Sequence, residues 1–128
     1  MNETAHTPTI DSDTVTAWVD RYLVAWRSND PADIAGLFTE DGEYHESPYE
    51  TDWIGRGEIV EGWRSRWNWQ EGGWTFEWWL VSIDGATAVI TGVGRYAKLG
   101  DFDNHWTLVF RTPEQCEHFT MVNTERDG

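Results

Sequence analysis

Four consecutive residues, Glu43, Tyr44, His45 and Glu46, carry side chains that donate, accept or transfer protons. The spacing predicts a short strand over residues 43–47, in which side chains alternate between the two faces. Tyr44 and Glu46 then share one face, and Glu43 and His45 share the other. If either face is buried, one of the two glutamates is carried into the interior.

Glu46 is the main candidate for acid–base chemistry. A carboxylate that loses water in an aromatic pocket is disfavoured in its charged form, which makes it a base or a proton donor near neutral pH. Such a group contributes about 10² to 10⁴ in rate. The alternative is that Glu46 lies at the rim, hydrated or paired with Arg56 or Arg64, because a one-residue slip reverses the faces of a strand.

Tyr22 lies in the middle of the apolar face of the first predicted helix. It is therefore expected in the core or in a pocket, where its hydroxyl needs a hydrogen-bond partner, either a substrate or the backbone.

The histidines and the single cysteine give weaker signals. His45, His105 and His118 belong to the side-chain type that titrates near neutral pH. His105 closes the segment DFDNH, whose spacing is typical of a solvated turn, so no metal site is predicted. Cys116 has no second cysteine to pair with and is expected to be a small apolar packing residue.

The composition excludes several classes of function. The 128 residues include 23 acidic and 9 basic ones, a net charge of -14 at pH 7, which repels polyphosphates, so no nucleic-acid binding is expected. The charge also disfavours anionic membranes, and no apolar run approaches the roughly 20 residues that cross a bilayer.

The polar N-terminus lacks a signal-peptide core, which predicts a cytoplasmic protein. The acidity fits either ordinary solubility or a salt-rich habitat.

Apolar residues recur at helical spacing in three segments of the first half of the chain. The clearest stripe runs from Val15 to Trp26, with Ser12 as the expected N-cap. A second, short helix begins with Asp30 as its cap and Pro31 at the first helical position. The expected helices span about 13–28, 31–37 and 58–69. Between the second and the third lie a turn at Asp41–Gly42, the strand at 43–47 and a loop over 48–57.

After Trp74 the pattern is that of strands, and Asp84–Gly85 predicts a hairpin. The expected strands span about 74–83, 86–98, 103–111 and 116–122. Their short connections exclude a parallel sheet, whose crossovers would need helices. The order predicts an α+β fold, with three helices on one face of a curved antiparallel sheet. The expected organisation is a disordered tail over 1–11, one domain over 12–122 and a C-terminal tail over 123–128.

The sequence resembles the nuclear transport factor 2-like superfamily and, within it, the SnoaL-like branch. The resembling segments are YLVAW at 22–26, NDPADIAGLFTEDGEYHESPY at 29–49 and GRGEIVEGW at 55–63. The resemblance implies a cone-shaped fold that encloses a pocket for a small apolar or aromatic ligand, without a cofactor. It also implies a homodimer formed through the outer face of the sheet.

By the same resemblance, Tyr22 takes the position of the tyrosine that donates to the developing oxyanion in ketosteroid isomerases, and Glu46 that of their general base. Their third residue, a protonated aspartate, falls near Trp106, so a second donor would come from Trp106 or His105. The residues expected to line the pocket are Trp18, Trp26, Tyr44, Trp63, Trp78, His105, Trp106 and Phe119. Trp79 alternates with Trp78 and is expected on the opposite, dimer-forming side.

Two functions stay open at this level. The first is a cofactor-independent isomerase, cyclase, dehydratase or hydrolase that uses Glu46 as acid or base and Tyr22 as donor. The second is a ligand-binding or dimeric scaffold protein without chemistry, favoured in one respect because an aromatic residue stands near the third isomerase position.

Overall fold

The structure, a computed structural model, describes residues 10–47 and 51–126. The helices are α1 (Ser12–Ser28), α2 (Pro31–Ala35), α3 (Arg56–Ser65) and a 3₁₀ helix at Trp67–Gln70. The strands are β1 (Phe38–Ser47), β2 (Thr51–Ile54), β3 (Trp74–Asp84), β4 (Thr87–Tyr96), β5 (Gly100–Thr112) and β6 (Gln115–Glu125). The predicted α+β class is therefore confirmed. No helix in the described ranges is long and apolar enough to cross a membrane.

The six strands form one mixed sheet in the order β2-β1-β6-β5-β4-β3. Four of the neighbouring pairs are antiparallel, but β1 and β6 run parallel, which corrects the wholly antiparallel sheet expected from the sequence. The reason is that β1 pairs with the last strand of the chain rather than with a neighbour in sequence. The rest of the chain acts as the long crossover that a parallel pair requires.

Local chemistry fixes where the first two helices begin. Asp11, not Ser12, caps α1: its carboxylate accepts the backbone N–H of Thr14 at 2.9 Å. Asp30 caps α2 as predicted, with Pro31 at the first helical position.

The ends of the domain extend into both predicted tails. Ile10 is buried and donates its N–H to Gly85 at 3.4 Å, while β6 continues through Asn123 to Glu125. Residues 1–9 and 127–128 of those tails lie outside the described residues.

Strand β1 is longer than predicted, and the expected turn at Asp41–Gly42 lies inside it. The register with β6 shifts between Phe38 and Glu43, so these residues form an irregularity in one strand rather than a turn between two elements. Within the loop predicted over 48–57, Thr51–Ile54 forms β2, an edge strand that pairs antiparallel with β1. Both strands belong to the wall that carries the site.

Helix α1 packs its apolar stripe on the inner face of the sheet. Trp18 is the centre of this core, with its ring edge-on to Phe38 and Phe110 at centroid distances of 5.9 Å. Its indole N–H donates to the carbonyl of Leu37 at 3.1 Å. Trp67 falls within the helix predicted over 58–69 but is exposed, because α3 ends at Ser65.

Candidate functional site

A cavity opens between α1, the segment that follows α3 and the inner face of the sheet. Its volume is about 60 Å³. Side chains from α1, β1 and β3 to β6 form its wall, most of them apolar rings. Such a narrow, aromatic cavity suits a small, flat molecule.

Glu46 lies on the wall of this cavity in an ion pair with Arg66. The guanidinium Nη1 donates to Glu46 Oε1. The side chain of Glu46 is only 5% exposed and that of Arg66 only 11%. The second carboxylate oxygen, Oε2, accepts the amide N–H of Asn123 at 2.8 Å. Of the two positions that the sequence left open, alternation in β1 gives Glu46 the inward one, and its counter-ion is Arg66 rather than Arg56 or Arg64.

Arg66 is held in place by aromatic rings and by a hydroxyl. Its guanidinium carbon lies 4.5 Å from the ring centroid of Trp53 on β2 and 4.4 Å from that of Trp69 in the 3₁₀ helix. Its Nη2 donates to the hydroxyl of Thr51 at 2.9 Å. This arrangement fixes the direction of the cation, so that the charge of Glu46 is compensated at one defined point.

A chain of hydrogen bonds continues from Glu46 along the sheet. Asn104 donates its amide N–H to Asn123 Oδ1 at 3.0 Å, and Trp106 Nε1 donates to Asn104 Oδ1 at 3.0 Å. Asn104, Trp106 and Asn123 occupy inward-facing positions of β5 and β6. The polar groups on this wall are thus connected to the carboxylate across two strands.

Two buried tyrosines face each other across the cavity floor. The hydroxyl oxygens of Tyr22 and Tyr44 are 3.4 Å apart. Burial is the main cause that raises the pKa of Tyr22 well above its usual value, and it also raises the pKa of Tyr44. Tyr96 shows the same effect on its pKa, again chiefly through burial. All three phenols therefore stay neutral. In the contact between Tyr22 and Tyr44 one hydroxyl donates to the other, which leaves the hydrogen of the second for a ligand.

Five of the ten residues predicted for the site line the cavity: Glu46, Tyr22, Trp26, Tyr44 and Trp106. Trp18, Trp63 and Phe119 are instead fully buried in the core beside it. They support the wall from behind, since Tyr22 lies against Trp63 at 4.7 Å and Tyr44 stacks on Phe119 at 4.7 Å.

His105 and Trp78, by contrast, do not line the cavity. Adjacent residues of a strand face opposite sides, so His105 points to the outer face of β5 when Trp106 points inward. Trp78 shares the inner side of β3 with Phe76 but packs against the core beyond the cavity.

Several cavity residues were not predicted from the sequence: Arg66, Trp69, Phe76, Tyr96, Asn104 and Asn123. Strand alternation was the one signal available for Asn104 and Asn123. Each is a polar residue two positions from a buried residue, Trp106 or Met121, and therefore shares its inward face. The position of Arg66 had no local signal, since it depends on contacts with β1 and β2.

The family of the chain follows from comparison with known proteins. Residues 19–121 match the model of the SnoaL-like domain, so the chain belongs to this family. A search of the curated proteins found no match.

Solved structures with low sequence identity share the fold. A protein of unknown function with a cystatin-like fold from Methylobium petroleophilum is 17% identical, with a TM-score of 0.73, over 94% of this chain and 82% of that one. A cystatin-like protein from Caulobacter vibrioides is 21% identical, with a TM-score of 0.68, over 91% of each chain. A ketosteroid isomerase-like protein from Erwinia carotovora atroseptica is 16% identical, with a TM-score of 0.61, over 89% of this chain and 96% of that one. These similarities concern the fold alone.

Proposed function

We propose that the protein binds a small, mostly apolar carbonyl or hydroxyl compound in the cavity and that Glu46 exchanges a proton with it. The observation that carries the proposal is the arginine-paired carboxylate of Glu46, which shares an apolar cavity with the neutral phenols of Tyr22 and Tyr44. A carboxylate can accept a proton, and a neutral phenol can donate a hydrogen bond.

In the proposed reaction the Glu46 carboxylate takes a proton from the carbon next to a substrate carbonyl. The electron pair of the broken C–H bond forms the enolate, whose oxygen accepts a hydrogen bond from the phenol of Tyr22. Return of the proton to the same or another carbon completes the cycle. The electrons balance without an oxidant or reductant, which is why this chemistry needs no redox cofactor.

The experiment is hydrogen exchange in D₂O with a panel of small cyclic ketones and enones, followed by proton NMR. Catalysed exchange places deuterium on the carbon next to the carbonyl, whatever the natural substrate is. Glu46→Gln should reduce the rate by about 10² to 10⁴. The matched control is Glu77→Gln, an exposed glutamate on the opposite side of the sheet, which should leave the rate unchanged.

If Glu46→Gln does not fold, the double variant Glu46→Gln/Arg66→Met removes both charges together and keeps the cavity apolar. Circular dichroism checks the fold of each variant. If the wild type catalyses exchange and a folded Glu46 variant does so at the same rate, the proposed role of Glu46 is contradicted.

A second candidate function is ligand binding without chemistry. It is favoured by the two hydrogen bonds that Glu46 accepts from Arg66 and Asn123, which commit both carboxylate oxygens to the protein. In this case the same ketones quench tryptophan fluorescence on binding but show no deuterium exchange.

We further propose a cytoplasmic homodimer formed through the outer face of the sheet. This face carries apolar side chains that are unusually exposed: Trp79 at 56%, Val81 at 57% and Val122 at 41%. Val81→Glu should shift the sedimentation coefficient from that of a dimer to that of a monomer. Val24→Glu, an equally exposed position on α1, is the control, and a wild type that sediments as a monomer contradicts the proposal.

A further inference from the structure

The outer face of the sheet carries two imidazoles and a carboxylate within reach of one another. Glu43, His45 and His118 each offer one ligand atom, and these atoms all lie within 4.8 Å of one another. We propose that Glu43, His45 and His118 form a binding site for one Zn²⁺ ion, with Asp52 as the outer partner that orients His45. This site is separate from the cavity, which lies on the inner face. It lies on β1 and β6, away from the edge strand β3 that carries Trp79 and Val81 of the proposed dimer face.

The strand register explains why these residues meet. Glu43 on β1 lies directly opposite His118 on β6, and His45 lies directly opposite Asp52 on β2. Glu43 and His45 are two residues apart on β1 and therefore point to the same face. Three neighbouring strands thus present four side chains on one patch of rigid backbone.

The distances between ligand atoms are close to those around a tetrahedral ion. Glu43 Oε1 is 2.9 Å from His45 Nε2 and 3.8 Å from His118 Nε2. Ligand atoms bound at the usual Zn–N and Zn–O lengths are about 3.3 Å apart. Small side-chain rotations are enough to bring the three atoms to this spacing, because the side chains are 26% to 44% exposed.

Asp52 gives His45 the outer partner that metal-binding histidines usually have. Its Oδ1 lies 2.6 Å from His45 Nδ1, so Nδ1 carries the hydrogen and donates it to the carboxylate. Nε2 lies on the side of Glu43 and His118 and donates to Glu43 Oε1 at 2.9 Å, so it is the ring atom at which a metal would replace a hydrogen. The same arrangement raises the basicity of the imidazole as a ligand.

The type of ligand selects the ion. Two imidazoles and one carboxylate favour Zn²⁺ over Mg²⁺ or Ca²⁺, which prefer oxygen ligands alone. The net charge of -14 raises the local concentration of cations. The hydrogen bond to Asp52 is the main cause that raises the pKa of His45, and the hydrogen bond to Glu43 raises it further.

The test is equilibrium dialysis and calorimetric titration of the full chain, without an affinity tag and stripped with chelator, against ZnCl₂ at mildly alkaline pH. The wild type should bind one Zn²⁺ per chain. Asp52→Asn should weaken the affinity about tenfold, and His118→Asn, which removes a direct ligand, by about 100-fold or more.

The chain has four histidines, so the control replaces the two outside the site, His6→Asn/His105→Asn, and should bind zinc as the wild type does. Circular dichroism verifies that each variant is folded. No zinc uptake by the wild type, or equal uptake by folded His118→Asn, would overturn the proposal, as would loss of uptake in the control alone.

Discussion

Arg66 forms an ion pair with Glu46 although the two residues lie on different elements and both side chains are almost fully enclosed. The pair lies on the wall of the cavity; Arg66 donates a further hydrogen bond to the hydroxyl of Thr51, and Asn123 donates one to Glu46. A buried pair of this kind is costly to break on one side only, because the remaining charge is left without a partner. Its energetic role can therefore be measured separately from any catalytic one.

Arg66→Met should lower the free energy of unfolding by about 3 to 5 kcal/mol, because it leaves the charge of Glu46 buried. The double variant Glu46→Gln/Arg66→Met should recover part of this loss. Urea denaturation followed by tryptophan fluorescence gives both values. The control is Arg95→Met, whose ion pair with Asp101 is exposed and is expected to contribute less than about 1 kcal/mol. Equal losses at the two arginines would show that the buried pair has no special role.

Gly62 should be intolerant of a side chain because it lies against the ring that stacks on Arg66. A Cβ atom at this position would be 2.2 Å from Trp53. Gly62→Ala is expected to cost about 1 to 3 kcal/mol through overpacking. Gly57→Ala in the same helix meets nothing within 4 Å and should be neutral or stabilising by up to about 1 kcal/mol. The measurement is the midpoint temperature of thermal unfolding. If this temperature shifted in the same direction in both variants, the prediction would be contradicted.

Tyr22→Phe should lower the rate of ketone exchange by about 10²-fold, as expected for loss of one donor to the developing oxyanion. Burial raises the pKa of Tyr22 well above 10.0, so the wild-type phenol keeps its proton as the pH rises through that value. The rate–pH profile of the wild type should therefore show no loss attributable to this tyrosine between neutral pH and 10.0. A decline that disappears in Tyr22→Phe would argue against the assignment.

Cys116 should be unreactive in the folded protein. The thiol is completely buried, and burial raises its pKa to about 12. Since the thiolate is the nucleophile, alkylation of the native protein should stay slow as the pH is raised through the ordinary range of a thiol, near 9.0. In urea the same reagent should react quickly and increasingly with pH. Rapid native labelling, detected by mass spectrometry, would contradict the burial.

The sequence predicts best where one pattern lies within one element. The stripe on α1 puts Tyr22 on its apolar side, and the alternation in β1 puts Tyr44 and Glu46 on one face, because each pattern depends only on local geometry. Arg66 was missed because its direction is set by Glu46 and by two indole rings from other segments. The assignment of His105 to the cavity was wrong because it conflicts with the alternation that turns Trp106 inward. The parallel pairing of β1 with β6 joins distant parts of the chain, and no local pattern signals it.

The pairing of β1 with β6 also imposes an order on folding. Phe38 pairs with Cys116 and Ser47 with Val122, so most of the chain must be synthesised before β1 can find its partner. Contacts between residues so distant in sequence carry a large loop-closure cost and slow the folding of a domain. During synthesis, α1 and β1 therefore emerge from the ribosome with their aromatic faces uncovered, and the wall that holds Glu46 forms only when the final strand has been released.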